Sequence, residues 1–406
     1  MKILHTADWH IGKVLHKHPL SDEMALFLDW LESVIRSQSI DVLLVSGDIF
    51  DVANPAVKDR STYYGFLSRL IGTGTKVIIT GGNHDSVALL DAPQEILRHL
   101  DVTVIGGAQD DLGNELIEIK DITEETKLVI AAVPFLRDKD LRNLSSDTAF
   151  DNRADALREG IRRHYHALGD ICNQEYKGIP RIAMGHLYAR GASSSESERD
   201  IHIGNAAAVD STVFSDAFDY IALGHIHRPQ IVGGSEMCRY SGSPIALSFS
   251  EKNDVKTVLL VELSDGKLAS PTVIEVPKAR DLYKVSGTIQ EVKSALEKYK
   301  PDFELVSFVE VEVTEEQFST SILSEVDQLV AEYSDHPKIK ILKSRTQFLH
   351  GAKDTADLFE QGANIEDLSP KEVFDRRLDA ESIPDNKKTE LRSTFMELLD
   401  EVLNNG

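Results

Sequence analysis

Short apolar runs alternate with helix-patterned stretches along the first 260 residues, and this alternation restricts the fold more than any other feature of the chain. KILHTADWH (2–10), DVLLVSGDIFD (41–51) and KVIITGGNHD (76–85) each read as a strand emptying into a polar loop. LVIAAVPF (128–135), RIAMGH (181–186) and YIALGH (220–225) read as further strands. Between the first two, residues 21–37 place Met24, Phe27, Leu28, Leu31, Val34 and Ile35 on one helical face, with Ser21 as the expected N-cap. Helices are expected again over 58–71 and near 88–100. Strands alternating with helices imply an α/β fold with helix-covered sheets.

Near residue 277 the texture changes. LYKVSG, TIQEVKSALEKY, LVSFVEVEV, SILSEVDQLVAEY and KIKILKS predict strand, helix, strand, helix, strand, a small α+β unit. Thr288 and Glu291 fit a capping box on its first helix. Residues 346–368 read as a polar linker, and Ser369, Pro370 and Glu372 mark a new helix start. A last helix after Pro384 would carry Leu391, Phe395, Leu398, Leu399 and Val402 on one stripe. The expected division is therefore 1–276, 277–345 and 346–406.

Composition narrows the functional classes. Two cysteines, Cys172 and Cys238, cannot build a disulfide framework and match no zinc spacing, which fits a reducing compartment. The N-terminus lacks the apolar segment of a signal peptide, and no run approaches the ~20 apolar residues of a membrane span; a cytoplasmic location is expected. The net charge is −23, from 44 Lys+Arg against 67 Asp+Glu. That charge argues against unaided nucleic-acid binding, which needs a cationic surface. Bound divalent cations or a basic partner would remove the objection.

The chemistry sits where the apolar runs stop. Five of them end in DWH, GD, GNHD, GH and GHIH, delivering Asp8, His10, Asp48, Asn83, His84, His186, His225 and His227 just past strands, often behind a glycine. Sites in open α/β sheets form outside the carboxyl ends of strands, so these loops can converge. One HxH or GD occurs by chance, but five such endings in one chain do not. Eight groups are too many for one tetrahedral ion. They suit two ions sharing a bridging carboxylate, with one group left for proton work. Imidazole, carboxylate and carboxamide without thiolate favour Mn, Fe or Zn, and such an ion pair can clamp the attacking and leaving oxygens of phosphoryl hydrolysis.

This arrangement, DxH…GDxxD…GNHD…GH…GHxH, resembles that of the calcineurin-like metallophosphoesterases. ILHTADWHIGK, VSGDIFD, GNHDSVALL, RGASSSESERDIHIG and ALGHIHRPQ more narrowly resemble the SbcD family of bacterial nuclease subunits, over most of 1–250. Beyond 277 the likeness rests on domain order and length. The resemblance implies a two-sheet sandwich flanked by helices, a small capping domain and C-terminal helices. It implies one ion held by Asp8, His10, Asp48 and His227, and another by Asp48, Asn83, His186 and His225, with Asp48 bridging. His84 would act on the scissile phosphate as general acid. Asp85 either orients that imidazole or caps the next helix. The metal would be Mn2+ or Mg2+. The resemblance further implies a DNA exo- and endonuclease acting with an SbcC-type ATPase bound to the C-terminal helices, as a homodimer within a larger complex.

Other residues invite blander readings. His16 and His18 follow no strand and are expected in a solvated loop, His202 is expected to be structural, and Asp51 is expected to set its loop or stand behind the ligands rather than bind metal. Arg190 and Arg199 either meet DNA phosphate or are ordinary surface arginines. The competing function is a phosphatase or small phosphodiesterase on the same scaffold. Protein phosphatases of this kind carry Arg-Gly after GDxxD and Glu after GNH, whereas this chain has GDIFDVA and GNHD.

Overall fold

The computed structural model describes residues 1–142, 153–189, 192–193, 195, 197–198 and 208–350, together with 374–375, 378, 387–388, 391–392 and 394–395. Two compact units emerge: one of 1–283, 301–308 and 337–342, the other of 284–300, 309–336 and 343–406.

Two sheets organise the first unit. In one, the strands Lys2–Thr6, Val42–Ser46, Lys76–Thr80 and Val102–Ile105 run parallel in that order, and Thr257–Ser264 joins Lys2–Thr6 antiparallel. In the other, Thr126–Ala132, Arg181–His186, Tyr220–Gly224 and Ser235–Tyr240 are parallel neighbours, with Leu116–Lys120 and Gln230–Val232 as antiparallel edges.

Side-chain alternation along a strand explains how the sheets stack. Val42 and Leu44 meet Ile130, Ala132, Ile182 and Ala222 of the opposite sheet in one dry layer. Leu43 and Val45 point the other way, into a cluster with Met24, Phe27, Leu28, Leu31 and Phe66 from the helices Ser21–Gln38 and Val57–Arg69. Ala131, Ala183, Ile221 and Leu223 likewise pack on Leu157, Ile161, Tyr165 and Leu168 of the helix Arg153–Glu175. With both faces covered, the strands are continuously apolar, as parallel sheets require. Each fully buried Leu or Ile contributes about 2 kcal/mol.

Local details depart from expectation in three places; one is the strand Ile339–His350, whose edge pairing carries it past the expected 345/346 boundary into the expected linker. Ser21 is the first helical residue rather than the cap, and Leu20 at the cap position makes no side-chain bond. The helix expected near 88–100 is two short helices, Val87–Asp91 and Gln94–Arg98, because Pro93 cannot donate to the preceding turn.

In the second unit, Leu282–Gly287, Ser307–Gln317 and Ile339–His350 contribute to a three-stranded sheet with Ser307–Gln317 in the middle. Its helices are Ile289–Lys298 and Thr320–Glu332, the first opened by the Thr288–Glu291 capping box. Farther along, the rings of Phe374 and Phe395 stack at 3.9 Å. Ser369, Pro370, Glu372, Leu398, Leu399 and Val402 lie outside the described residues, as do Arg190, Arg199 and His202. Among the described residues, both cysteines are free and buried, and no helix is long and apolar enough to cross a membrane.

Candidate metal centre

Parallel pairing puts the carboxyl ends of Lys2–Thr6, Val42–Ser46, Lys76–Thr80, Arg181–His186 and Tyr220–Gly224 at one edge of the sandwich. The loops that leave these strands are stitched together by main-chain bonds. Asp8 N donates to Gly47 O at 3.1 Å and His10 N to Asp48 O at 3.0 Å. His225 N donates to Asp8 Oδ1 at 2.8 Å, and His84 N to Asp48 Oδ1 at 2.9 Å.

This stitching brings the candidate side chains together. Asp8, His10 and His227 can each place one ligand atom within 4.8 Å of the others, and so can His10, Asp48 and His84, and Asp8, Asp48 and His186. Asp48 Oδ2 lies 3.3 Å from His186 Nε2 and 3.5 Å from His10 Nε2. Asn83 Oδ1 is 2.9 Å from His186 Nε2, and the His225 ring stands edge-on to the His186 ring. All eight candidates thus fall in one neighbourhood, and all but Asn83 are buried.

Backbone strain marks the same loops. Asp8, His10, Asp48 and His225 have φ of 54°, 46°, 50° and 100°. Side chains there cost on the order of 1–3 kcal/mol each and persist only where the surroundings fix them. Glycine makes room for the approach: a Cβ on Gly82 would lie 2.1 Å from Asp48 Oδ1, and one on Gly47 would lie 2.2 Å from His186 Nδ1.

Second partners set which nitrogen faces inward. A carbonyl can only accept, so His84 Nδ1–H donates to Asp51 O at 2.7 Å and His186 Nδ1–H to Ser46 O at 3.0 Å. Both rings therefore turn Nε2 toward the cluster. Asp51 also lies 3.3 Å from His10 Nδ1 and takes Lys13 Nζ at 3.1 Å, so this residue serves two imidazoles as well as its loop. Asp85 does not cap the following helix, whose cap is Ser86. Its oxygens take the backbone N–H groups of Ile49, Phe50 and Gly82.

The electrostatics are those of a site built around added positive charge. Burial pushes Asp8 up to about 7, against the pull of His186. Asp48, although buried, is held well below the usual carboxylate range by His186, with help from His10 and His84. Burial opposes charge on His186, yet Asp48 and Asp8 hold it up to about 9. His225 is pushed well below the ordinary imidazole value by burial and by His186. Asp8 Oδ2 and His225 Nε2 are buried without a hydrogen-bond partner, and His10 Nε2 faces His227 Nε2 across 3.1 Å. Buried orphan acceptors and opposed imidazoles are costly in a protein interior, and divalent cations between them would relieve both. The donor set fits the group.

Several contributors had no signal in the strand-end pattern. His227 Nδ1 meets Ser197 Oγ at 2.6 Å and His227 N donates to Glu198 Oε1 at 2.9 Å. Glu251 stands behind them, buried, and takes Lys256 Nζ at 2.5 Å. Burial pushes the Glu251 carboxyl up, but the His227 ring and the Lys256 ammonium outweigh it and hold Glu251 well below the usual range. Ser197 and Glu198 sit in the serine-rich stretch, in which the sequence singles out only the arginines. His16 and His18 are apart from the cluster; they pack on Phe249 and Phe308. A cleft of about 850 Å³ bordered by Phe27, Trp30, Ile245 and Val276 includes none of the candidate ligands.

Comparison with known proteins follows this geometry. The family model described as calcineurin-like phosphoesterase matches residues 1–229. The chain belongs to this family. Its two-sheet fold is the calcineurin-like one. A second model, described as Type 5 capsule protein repressor C-terminal domain, matches residues 278–382. Among curated relatives, the D subunit of the SbcCD nuclease of Escherichia coli K12 is 33% identical, covering 97% of each chain. The Bacillus subtilis protein of that name is 30% identical, covering 98% of this chain and 97% of its own. That of Rhodobacter capsulatus is 35% identical over 73% of this chain and 76% of its own.

Proposed function

We propose that this calcineurin-like phosphoesterase is a metal-dependent DNA nuclease working as the catalytic subunit of an SbcCD-type complex. The observation that carries this reading is the convergence of Asp8, His10, Asp48, Asn83, His84, His186, His225 and His227 from five strand ends on one buried cluster. Full-length likeness to named nuclease subunits supports phosphodiester DNA over a small phosphoester as substrate.

In this reading Asp8, His10, Asp48 and His227 hold one divalent cation, and Asp48, Asn83, His186 and His225 hold the other. Asp48 would be shared, because its carboxylate lies between the two ligand groups, with Oδ2 3.3 Å from His186 Nε2 and 3.5 Å from His10 Nε2. Bound there, the two cations would supply an activated water and neutralise charge building on the phosphoryl group. The remaining work falls to the chain. Tight backbone bonding among the loops holds the ligands in place, and fixed Nδ1–H tautomers aim imidazole lone pairs inward. His84 Nε2 lies 3.9 Å from Asp48 Oδ2 and has its other nitrogen tied to Asp51 O, so the doubly protonated ring would hand its Nε2 proton to the departing 3′-oxygen and be left as the neutral Nδ1–H tautomer. Asp85 acts as a brace between the loops of Asp48 and Asn83. Mn2+ is the proposed native metal, with Mg2+ as the alternative.

The capping domain expected over 277–345 would run on through the strand to His350, and the chain from there to 406 would be the arm that binds an SbcC-type ATPase; the exposed Leu391 and the stacked Phe374 and Phe395 rings support such a docking role. ATP-stimulated 3′→5′ duplex exonuclease and hairpin-opening activity, a dimer within a heterotetramer, and a cytoplasmic, nucleoid-associated location complete the proposal. The test is Mn2+-dependent degradation of linear duplex DNA, with and without the ATPase and ATP. Intact duplex alongside turnover of a mononucleotide or phosphopeptide would replace this reading with a phosphatase.

A further inference from the structure

We infer that Ser197 is a positioning residue for the metal centre, fixing the tautomer of His227 through a buried relay that ends at Glu251 and Lys256. The inference rests on the dinuclear reading above and extends it to residues outside the strand-end motifs.

The relay has a direction that hydrogen-bond chemistry dictates. Glu251 is buried and has Lys256 Nζ on Oε2 at 2.5 Å, so it stands as an ionised carboxylate that accepts and does not donate. Lys256 is itself nearly buried, and its other bonds go to His227 O at 3.0 Å and Ser243 Oγ at 2.9 Å. Glu251 Oε1 meets the hydroxyl of Ser197 and, at 3.1 Å, that of Ser195. A serine hydroxyl carries one hydrogen. With that hydrogen given to Glu251, Ser197 Oγ has only lone pairs to offer at 2.6 Å to His227 Nδ1. The proton on this side of the ring must then be on Nδ1, and Nε2 is left as a bare lone pair.

That lone pair faces the cluster, since Nε2 is the atom opposite His10 Nε2. Glu198, next to Ser197, accepts the His227 main-chain N–H at 2.9 Å, so two successive residues grip one histidine at ring and backbone. His84 and His186 achieve the same orientation with main-chain carbonyls. At the His227 ring a side-chain hydroxyl takes the place of the carbonyl. Partners in this position orient the ligand ring, and losing one typically weakens metal binding about 10- to 100-fold.

The test uses the full chain and two readouts besides activity. Mn2+ is titrated calorimetrically into metal-free wild type, Ser197→Ala and Ser197→Thr, with thermal unfolding of each metal-free form. Nitrogen-15 histidine spectra of the metal-free proteins report the His227 tautomer. We expect two ions in wild type, and in Ser197→Ala about 10- to 100-fold weaker binding of one of them. The other ion should bind unchanged and the metal-free melting temperature should hold. The His227 signal should pass from Nδ1–H to a tautomer mixture, and Ser197→Thr, which keeps the hydroxyl, should restore affinity and tautomer. Wild-type affinity and tautomer in Ser197→Ala would overturn the inference, as would equal weakening of both ions with a lowered melting temperature. Fewer than two ions in wild type would instead bring down the dinuclear reading and the inference with it.

Discussion

The carboxylate of Asp85 accepts the backbone N–H of Ile49 at 3.1 Å, tying the loop that follows Asn83 and His84 to the loop that carries Asp48. The same group takes Phe50 N at 3.0 Å and Gly82 N at 2.9 Å, so three buried amides depend on one side chain. Asp85→Asn keeps the shape but turns a donor toward donors. Loss of charge-assisted bonds should cost about 2–3 kcal/mol, read as a shifted denaturant midpoint with an unchanged slope. Mn2+ affinity should fall with it, since the brace joins two ligand loops. Unchanged stability would mean the three amides find other acceptors.

His84 and Asp48 separate catalysis from metal holding. His84→Ala should lower duplex degradation by about 100-fold or more, the usual scale for a positioned general acid, while Mn2+ still binds. Asp48→Ala should abolish both, because each proposed ion uses that carboxylate. Equal losses of metal from both variants would make His84 a ligand.

Gly82→Ala tests the close approach of loops. The added methyl would lie 2.1 Å from Asp48 Oδ1 and 2.3 Å from Asp48 N. Since the contact is partly with backbone, the loops must part, and Mn2+ binding should be lost in a protein that still folds. Wild-type metal affinity would show that the loops have slack.

Six strands of the first unit, and the polar residues that end five of them, are legible in the sequence because both signals are local, an apolar run, a glycine and a polar side chain within a few residues; Val102–Ile105, Leu116–Lys120 and Ser235–Tyr240 carry no such ending. The helix Arg153–Glu175 carries Leu157, Ile161, Tyr165 and Leu168 as a stripe at helical spacing, a local signal of the same kind that the strand-end pattern does not point to. Thr257–Ser264 beside Lys2–Thr6 is a different matter, since antiparallel pairing across most of the first unit leaves no mark in either strand. Ser197 and Glu251 meet from 54 positions apart with no shared pattern. Asp51 serves His84 through its carbonyl, which side-chain identity does not encode.

Stability of the metal-free chain should depend on pH in a set direction. His186, held up to about 9 against 6.5, contributes stability that is complete below pH 6.5 and lost as pH rises through 9. Asp8, pushed up to about 7 against 3.8, contributes stability complete below 3.8 and lost as pH rises through 7. The contribution of Asp48 has the opposite sign, but it is lost only at pH below its ordinary range and stays constant here. Below pH 6.5 His225 and His5, both pushed down by burial, contribute the opposite sign, so the metal-free melting temperature should fall between pH 7 and 9, where His186 alone sets the direction. Saturating Mn2+ should raise it most at the alkaline end, where the ligands are deprotonated. A flat metal-free profile would contradict this.

With a net charge of −23, the chain alone should bind duplex DNA no more tightly than about 10⁻⁶ M at physiological salt. Addition of the ATPase partner should tighten binding. Tight partner-free binding would mean a basic surface outweighs the overall charge.

The central claim is one dinuclear centre with a shared aspartate, and anomalous diffraction from crystals equilibrated with Mn2+ addresses it most directly. Two peaks about 3.5–4 Å apart with Asp48 between them, Asp8, His10 and His227 around one and Asn83, His186 and His225 around the other, are expected. A single peak, or two peaks with no common ligand, would contradict it.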